Sequence, residues 1–393
     1  MKFRYLFIIL TLLSFLSCEK NKKNDMDDIL ENTGTHISKI YPFHGRLNYH
    51  YNNRIKNRFG EYFISGSTFD SLKYYYYPPK DYYSNIENGV FLQKFDKSNN
   101  LLWQKTWKKE KSSYVTFSND KGAFIGTYNG NIIIRKIDAN GIVLWKKEIG
   151  GDEPDNIYSM VSTKDGGIIC TGKTESYNDK SYGDIITFKL STTGEILWQN
   201  IYENNEQEIP HDVILTGDGG CLVVGENNDK DYYPAVLIII KYDKYGKRTW
   251  VKNFKLNDWT VGMSAIMLLN KDFIIGGRSY KSETFSNSFL LCIDNNGNKK
   301  WFKEMDKYDH NEFGILIVPV NNYEFIFIVK TIDKLHFTRF NNLGEELAEQ
   351  SFDTDNTSVY TMNEDYGLTI FFNFEKLLSD TLKNYIDYKK IKL

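Results

Sequence analysis

Four cysteines in 393 residues are too few for a disulfide-built scaffold, and seven prolines leave little room for Pro-rich linkers. Charge of one sign is also missing. Lys plus Arg total 49 against 51 Asp plus Glu, with no basic stripe, so the chain lacks the electrostatic footprint of a nucleic-acid binder. The P-loop, Gly-x-Ser-x-Gly, His-Glu-x-x-His and Cys-x-x-Cys patterns are all absent, and with them the motif-bearing forms of nucleotide, hydrolase and zinc chemistry. Long apolar runs are scarce. The one that stands out, Leu6 to Leu16, is shorter than the about 20 residues needed to cross a bilayer. Aromatic rings are plentiful instead: 28 Tyr, 26 Phe and 7 Trp favour β-rich packing.

The N-terminus has a separate job. Lys2 and Arg4 precede the apolar run, and Ser17-Cys18 follows it, the layout of an export signal. The ending Phe15-Leu16-Ser17-Cys18 resembles the lipobox of bacterial lipoproteins. That resemblance implies cleavage before Cys18 and lipid attachment to Cys18, whereas a plain cleaved signal or an uncleaved anchor is the other reading. On the lipoprotein reading residues 1–17 are the signal peptide. Residues 18–31, with the run EKNKKNDMDD, form a charged flexible tether, and residues 32–393 are the folded domain. Several acyl chains hold a protein stably on a membrane. The expected location is therefore the bacterial cell envelope, at the outer membrane, with the lipid as sole membrane contact.

The folded domain repeats. FLQKFDKSNNLLWQK, IIRKIDANGIVLWKK, ITFKLSTTGEILWQN, IIIKYDKYGKRTWVK and LLCIDNNGNKKWFK overlay on one another, with Trp103, Trp145, Trp198, Trp250 and Trp301 each seven residues after Asp96, Asp138, Ser191, Asp243 or Asp294. A sixth copy keeps Asn341 and Gly344 but has Ala348 at the Trp position. In such a turn Asp caps a backbone amide and Gly takes the left-handed conformation, which joins two antiparallel strands. A second signature alternates with the first in seven copies, from RFGEYFISG and DKGAFIG to DYGLTIFF, each a tight turn into an apolar strand. Every unit of about 50 residues thus reads as four short antiparallel strands, a β-propeller blade.

The predicted fold is an all-β, seven-bladed propeller, with six or eight blades as alternatives. The seventh unit lacks its last strand, and NTGTHISKIY near the start resembles TTGEILWQNIY, so the N-terminal strand is expected to close the ring. The repeated Trp should cover the seam between blades, worth about 4 to 6 kcal/mol if fully buried. Ala348 would then mark the weakest seam. Lys94, Lys136, Lys189, Lys241 and Arg339 precede the turn by two places in five units, and such a repeated cation reads as fold support with its stem packed and its charge paired. Cys170, Cys221 and Cys292 fall in apolar strands and read as buried free thiols.

The unit resembles the repeats of bacterial secreted propeller lipoproteins, with Asp138 to Trp145 followed by Gly150-Gly151. It is also similar to the quinoprotein-type (PQQ-type) repeat, whose turn is one residue longer. That class includes pyrroloquinoline quinone dehydrogenases and non-catalytic assembly lipoproteins. The adjacent-Cys pair and calcium segment of those dehydrogenases have no counterpart here, so the resemblance implies no cofactor, and no metal site is read from the sequence.

What fails to repeat points to function. The connections between second and third strands and between blades are long and varied, and binding residues concentrate on such loops. The longest, in blade 1, carries Tyr74, Tyr75, Tyr76, Tyr77, Tyr82 and Tyr83, and other loops of that face add Tyr232, Tyr233 and Trp259. Tyrosine offers stiff amphipathic contact area suited to proteins and sugar rings. Asp155, His211, Asp212, Asp258, His310 and Glu312 are expected just before the inner strands, around one mouth of the central channel. The reading is a monomeric, non-catalytic envelope lipoprotein whose loop face binds a protein or glycan. The alternative is a propeller enzyme, a glycan hydrolase or lyase, working at the channel mouth.

Overall fold

The computed structural model describes residues 36–37, 47–56, 61–70, 89–98, 100–177, 183–204, 206–228, 235–282, 285–308, 312–331, 334–353, 359–364, 367–378 and 381–392, with side-chain detail for 61–66 and most of 89–351. Among the described residues every regular element is a strand, and the 28 strands form seven four-stranded antiparallel sheets. Six sheets use consecutive strands: blade 1 (47–108), blade 2 (111–149), blade 3 (155–202), blade 4 (207–254), blade 5 (259–305) and blade 6 (313–353). Blade 7 takes three strands from 359–392 and its fourth from His36–Ile37, in the register His36 to Tyr388 and Ile37 to Asp387. First strands of neighbouring blades lie against one another, and Val359–Glu364 of blade 7 meets Leu47–Lys56 of blade 1, so the first strands are innermost. The chain is a seven-bladed propeller closed by its N-terminal strand.

Both repeated turns have the predicted chemistry. In blade 2, Asp138 N–H donates to the Ile142 carbonyl at 2.9 Å and Gly141 N–H to the Asp138 carbonyl at 3.2 Å, while the Asp138 carboxylate accepts from the amides of Asn140 and Ile142. Gly141, Gly194, Gly246, Gly297 and Gly344 all sit at φ between 78° and 86°. The turn between first and second strands uses the same left-handed step at Gly166 and Gly219, but Lys121 and Lys271 occupy it in blades 2 and 5.

The two halves of the hairpin signature meet across the seam. Each Trp lies under the turn glycine of the following blade: a Cβ on Gly141 would fall 2.9 Å from Trp103, and one on Gly194 2.9 Å from Trp145. The indole N–H groups of Trp103, Trp145 and Trp250 donate to Ala139, Thr192 and Asn295 carbonyls of that same turn, at 2.9, 2.9 and 3.2 Å. Trp198 lacks such an acceptor, and Asn200 donates to the Gly246 carbonyl beside it instead. These indoles are half-buried, which halves the expected burial term to about 2–3 kcal/mol per seam. The core is seam-shaped as well. Ile168 and Cys170 face blade 2 while Ile169, between them, faces blade 4, the period-2 consequence of a strand buried on both sides. All three described cysteines are free and buried, and Cys170 and Cys221 lie in different seams.

The repeated cation is paired, as expected, and its partner comes from the first turn of its own blade. Lys136 meets Asp120 at 2.8 Å, Lys189 meets Asp165 and Lys241 meets Asp218 at 2.5 Å each, Lys94 meets Glu61 at 3.5 Å, and Arg339 pairs with Glu324. Blade 5 has Cys292 at that register, and Lys300 from its outermost strand reaches Asp272 at 2.6 Å instead.

Candidate binding face at the channel mouth

Antiparallel order puts the two uniform turns at one end of every blade and the variable connections at the other. The variable end carries the candidates. Among them Tyr74, Tyr75, Tyr76, Tyr77, Tyr82, Tyr83, Tyr232, Tyr233, His310 and the lipid-attachment Cys18 lie outside the described residues.

Asp155 and Glu312 lie where the sequence places them, at the entry to the inner strand of blades 3 and 6, and both are fully buried. Asp155 accepts from Ser176 Oγ at 2.7 Å, from Thr174 Oγ1, and from Gly151 N–H at 3.2 Å. Glu312 accepts from Ser288 N and Oγ at 3.1 and 2.7 Å and from the amides of Lys307 and Tyr308 at 3.2 and 2.8 Å. Burial raises the Glu312 carboxyl against those four donors. Glu110 has the same task at the entry to blade 2, held by Arg135 and Thr127. These carboxylates tie the start of an inner strand to its neighbours. Asp258 precedes the inner strand of blade 5 and is exposed.

His211 and Asp212 do not precede the inner strand of blade 4; they lie inside it, within Gln207–Leu215. The ladder of that strand already begins at Gln207, opposite Asn228, and it carries a β-bulge. The ladder skips His211 between Pro210 and Asp212, and the inner strands of blades 1, 3, 5 and 6 skip Asn52, Tyr158, Met263 and Ile315 in the same way. After the bulge the open edge of each inner strand is served by its neighbour. Asp212 accepts from Ser159 Oγ of blade 3 at 3.1 Å and from Ala265 N–H of blade 5 at 3.0 Å, and Ser264 Oγ accepts from Ile317 N–H of blade 6 at 3.2 Å. Burial raises the Asp212 carboxyl, with those donors opposing. Asp212 thus staples three blades.

The skipped residues make a different surface. His211 meets Tyr158 edge-on at 6.3 Å, and its Nε2 lies 3.5 Å from a carboxylate oxygen of the buried Glu226. Burial, with Tyr128 and Glu226 nearby, raises the Tyr158 phenol, and burial with Tyr158 and Tyr128 raises Tyr114 to about 12. Tyr158, His211 and Glu226 thus bring a phenol, an imidazole and a carboxylate together across blades 3 and 4, while Tyr114 packs against the seam between blades 2 and 3. Tyr158 escapes sequence reading because a bulge changes only which residue is skipped and leaves no compositional mark.

Blades 5 and 6 line the next arc with rings around a cation. Trp259 opens the inner strand of blade 5 and pairs with Tyr280 on the second strand, their rings stacked at 4.6 Å and 20°. Arg278 lies two places along from Tyr280, its guanidinium 5.8 Å from Trp259, 5.9 Å from Tyr280 and 5.3 Å from Phe313 of blade 6. All four are half-buried. Below them the seam is shut, because Gly276 faces Phe327 and Ile317 with no room for a side chain. Trp259 and Tyr280 are legible as ring-bearing loop-face residues; Arg278, a single cation inside an apolar strand, belongs to no motif.

Among the described residues no group of three or more His, Cys, Asp or Glu side chains is arranged to hold a metal ion. No protein-family model and no curated protein matches the chain. Solved structures do. The WD40 domain of Neurospora crassa Pan2 is 10% identical over 86% of this chain and 88% of its own, with a TM-score of 0.52. The Dos1 propeller is 9% identical over 82% and 79%, TM-score 0.52, and the β-propeller domain of the Pyrococcus furiosus Trilobed protease is 11% identical over 87% and 93%, TM-score 0.50. At such identities the likeness speaks for architecture alone, and the architecture is a β-propeller.

Proposed function

We propose that this chain is a non-catalytic binding protein, exported and lipid-anchored at Cys18 to a bacterial cell envelope, whose loop face holds a glycan or protein partner. One observation carries the binding reading: the Trp259–Tyr280 stack with Arg278 and Phe313 is half-buried at the variable end of blades 5 and 6 and belongs to neither repeated turn. The repeated residues serve turns and seams, whereas this group occurs at one seam. The tyrosine-rich segment of blade 1, which lies outside the described residues, is proposed as a second ring-bearing part of the binding face. Trp259→Ala with Tyr280→Ala should cut binding of purified envelope glycans or surface proteins to the full-length protein at least tenfold. Binding that survives both this variant and Tyr74, Tyr76 and Tyr83→Ala would refute the reading. Anchoring is checked separately by metabolic labelling with a clickable fatty acid, which Cys18→Ala should abolish.

The glycan-enzyme alternative has one point in its favour, the His211–Glu226 contact at 3.5 Å beside Tyr158. Asp212 is committed to the staple and is the wrong acid to test. Turnover on a glycan panel that His211→Ala abolishes would establish the alternative.

A further inference from the structure

Among the described residues Arg278 is a cation with no ion-pair partner. Arg135 forks onto Glu110 and Arg339 pairs with Glu324, while Arg248, exposed at the start of an outermost strand, lies over the Tyr202 ring. Among the described residues no carboxylate lies within ion-pair distance of Arg278, and its Nε is buried with no hydrogen-bond acceptor. A buried N–H left unmade costs about 1–3 kcal/mol, so an arrangement of this kind calls for a partner supplied from outside. The surroundings restrict that partner. Trp259, Tyr280 and Phe313 surround the guanidinium within cation–π distance. A guanidinium fork matches a planar carboxylate in two parallel hydrogen bonds. Half-open indole and phenol faces beside it match the apolar face of a pyranose.

Resting on the loop-face reading above, we propose that the mouth between blades 5 and 6 is a subsite for an acidic sugar, with the carboxylate of a uronate or sialate residue paired to Arg278 and its ring laid on Trp259 and Tyr280. A neutral sugar would leave the guanidinium unsatisfied, so the subsite discriminates as well as binds.

The test uses the full-length protein and oligosaccharides of galacturonate, glucuronate and sialate, each beside its methyl ester, together with inorganic phosphate and a poly-glutamate peptide as rival anions. At least one free acid should bind at least tenfold more tightly than its ester, and that preference should vanish in Arg278→Gln. Arg278→Lys, which keeps charge but loses the fork, should retain less than a tenth of it. Binding of acid and ester with equal affinity, binding of none of the sugars, or a preference for phosphate or peptide over every sugar would overturn the proposal. The loop-face reading fails separately, if Trp259→Ala with Tyr280→Ala leaves binding of an established partner untouched; it stands if that variant loses the partner while Arg278→Gln does not. Protection of the three buried thiols from a thiol reagent confirms that each variant is folded.

Discussion

Lys271 holds a left-handed backbone, φ 68°, at the step where Gly166 and Gly219 sit in other blades. A side chain there costs about 1–2 kcal/mol, partly offset by the greater unfolded-state freedom of glycine. Lys271→Gly should therefore raise stability by about 0.5–1 kcal/mol in chemical denaturation. A loss of stability would show that the turn is relaxed some other way. The same scale holds a pH effect. Glu208, buried at the start of blade 4, has its carboxyl raised to about 8 by burial, then by the charges of Asp184 and Glu206. The unfolded chain gives up that proton near ~4.3 while the folded chain keeps it until about pH 8. The contribution is whole below the unfolded value and is lost as pH climbs through the interval. Wild type should accordingly lose melting temperature relative to Glu208→Gln between about pH 5 and 8.5; parallel curves would exclude it. Residue roles tied to a repeat, such as the turn Asp138 and the paired Lys241, were legible in the sequence. Glu208 and Arg278 were not, because their environment is set by a neighbouring strand that sequence order does not reveal.

At the scale of elements, the hairpin is the unit of assembly. A joint is made of one hairpin's Trp and the next hairpin's turn glycine, so each hairpin supplies its Trp to the seam after it and its turn to the seam before it. Trp145→Ala should cost about 2–3 kcal/mol and should speed labelling of Cys170, which lies in the same seam as Trp145, more than that of Cys292 three seams away. Equal acceleration at both thiols would mean the ring opens as a whole. Strand order, turn type and blade count could be read from spacing, since turn chemistry is local. The inner-strand bulges could not: a skipped residue is a property of the pairing, and His211 lies mid-strand because its ladder already begins at Gln207 opposite Asn228.

Across the whole molecule, the closing strand joins the two ends of the ring. With Tyr388 opposite His36, a His36→Cys, Tyr388→Cys pair should cross-link on oxidation and raise the unfolding temperature. Deleting residues 32–41 should lower it and expose blade 7 to protease; a deletion without effect would mean closure contributes nothing. The borrowed strand was legible because its sequence echoes that of another blade.

The five joints from blade 1 to blade 6 all have the same direction, Trp of one blade under the glycine turn of the next. Such a head-to-tail contact has no built-in end: left open, it would go on recruiting further copies of itself, as one-way interfaces between subunits grow into filaments. The number of blades is thus bounded by where the chain meets its own beginning, and a two-residue pairing, His36–Ile37 on Asp387 and Tyr388, is what turns an extendable array into a finite molecule.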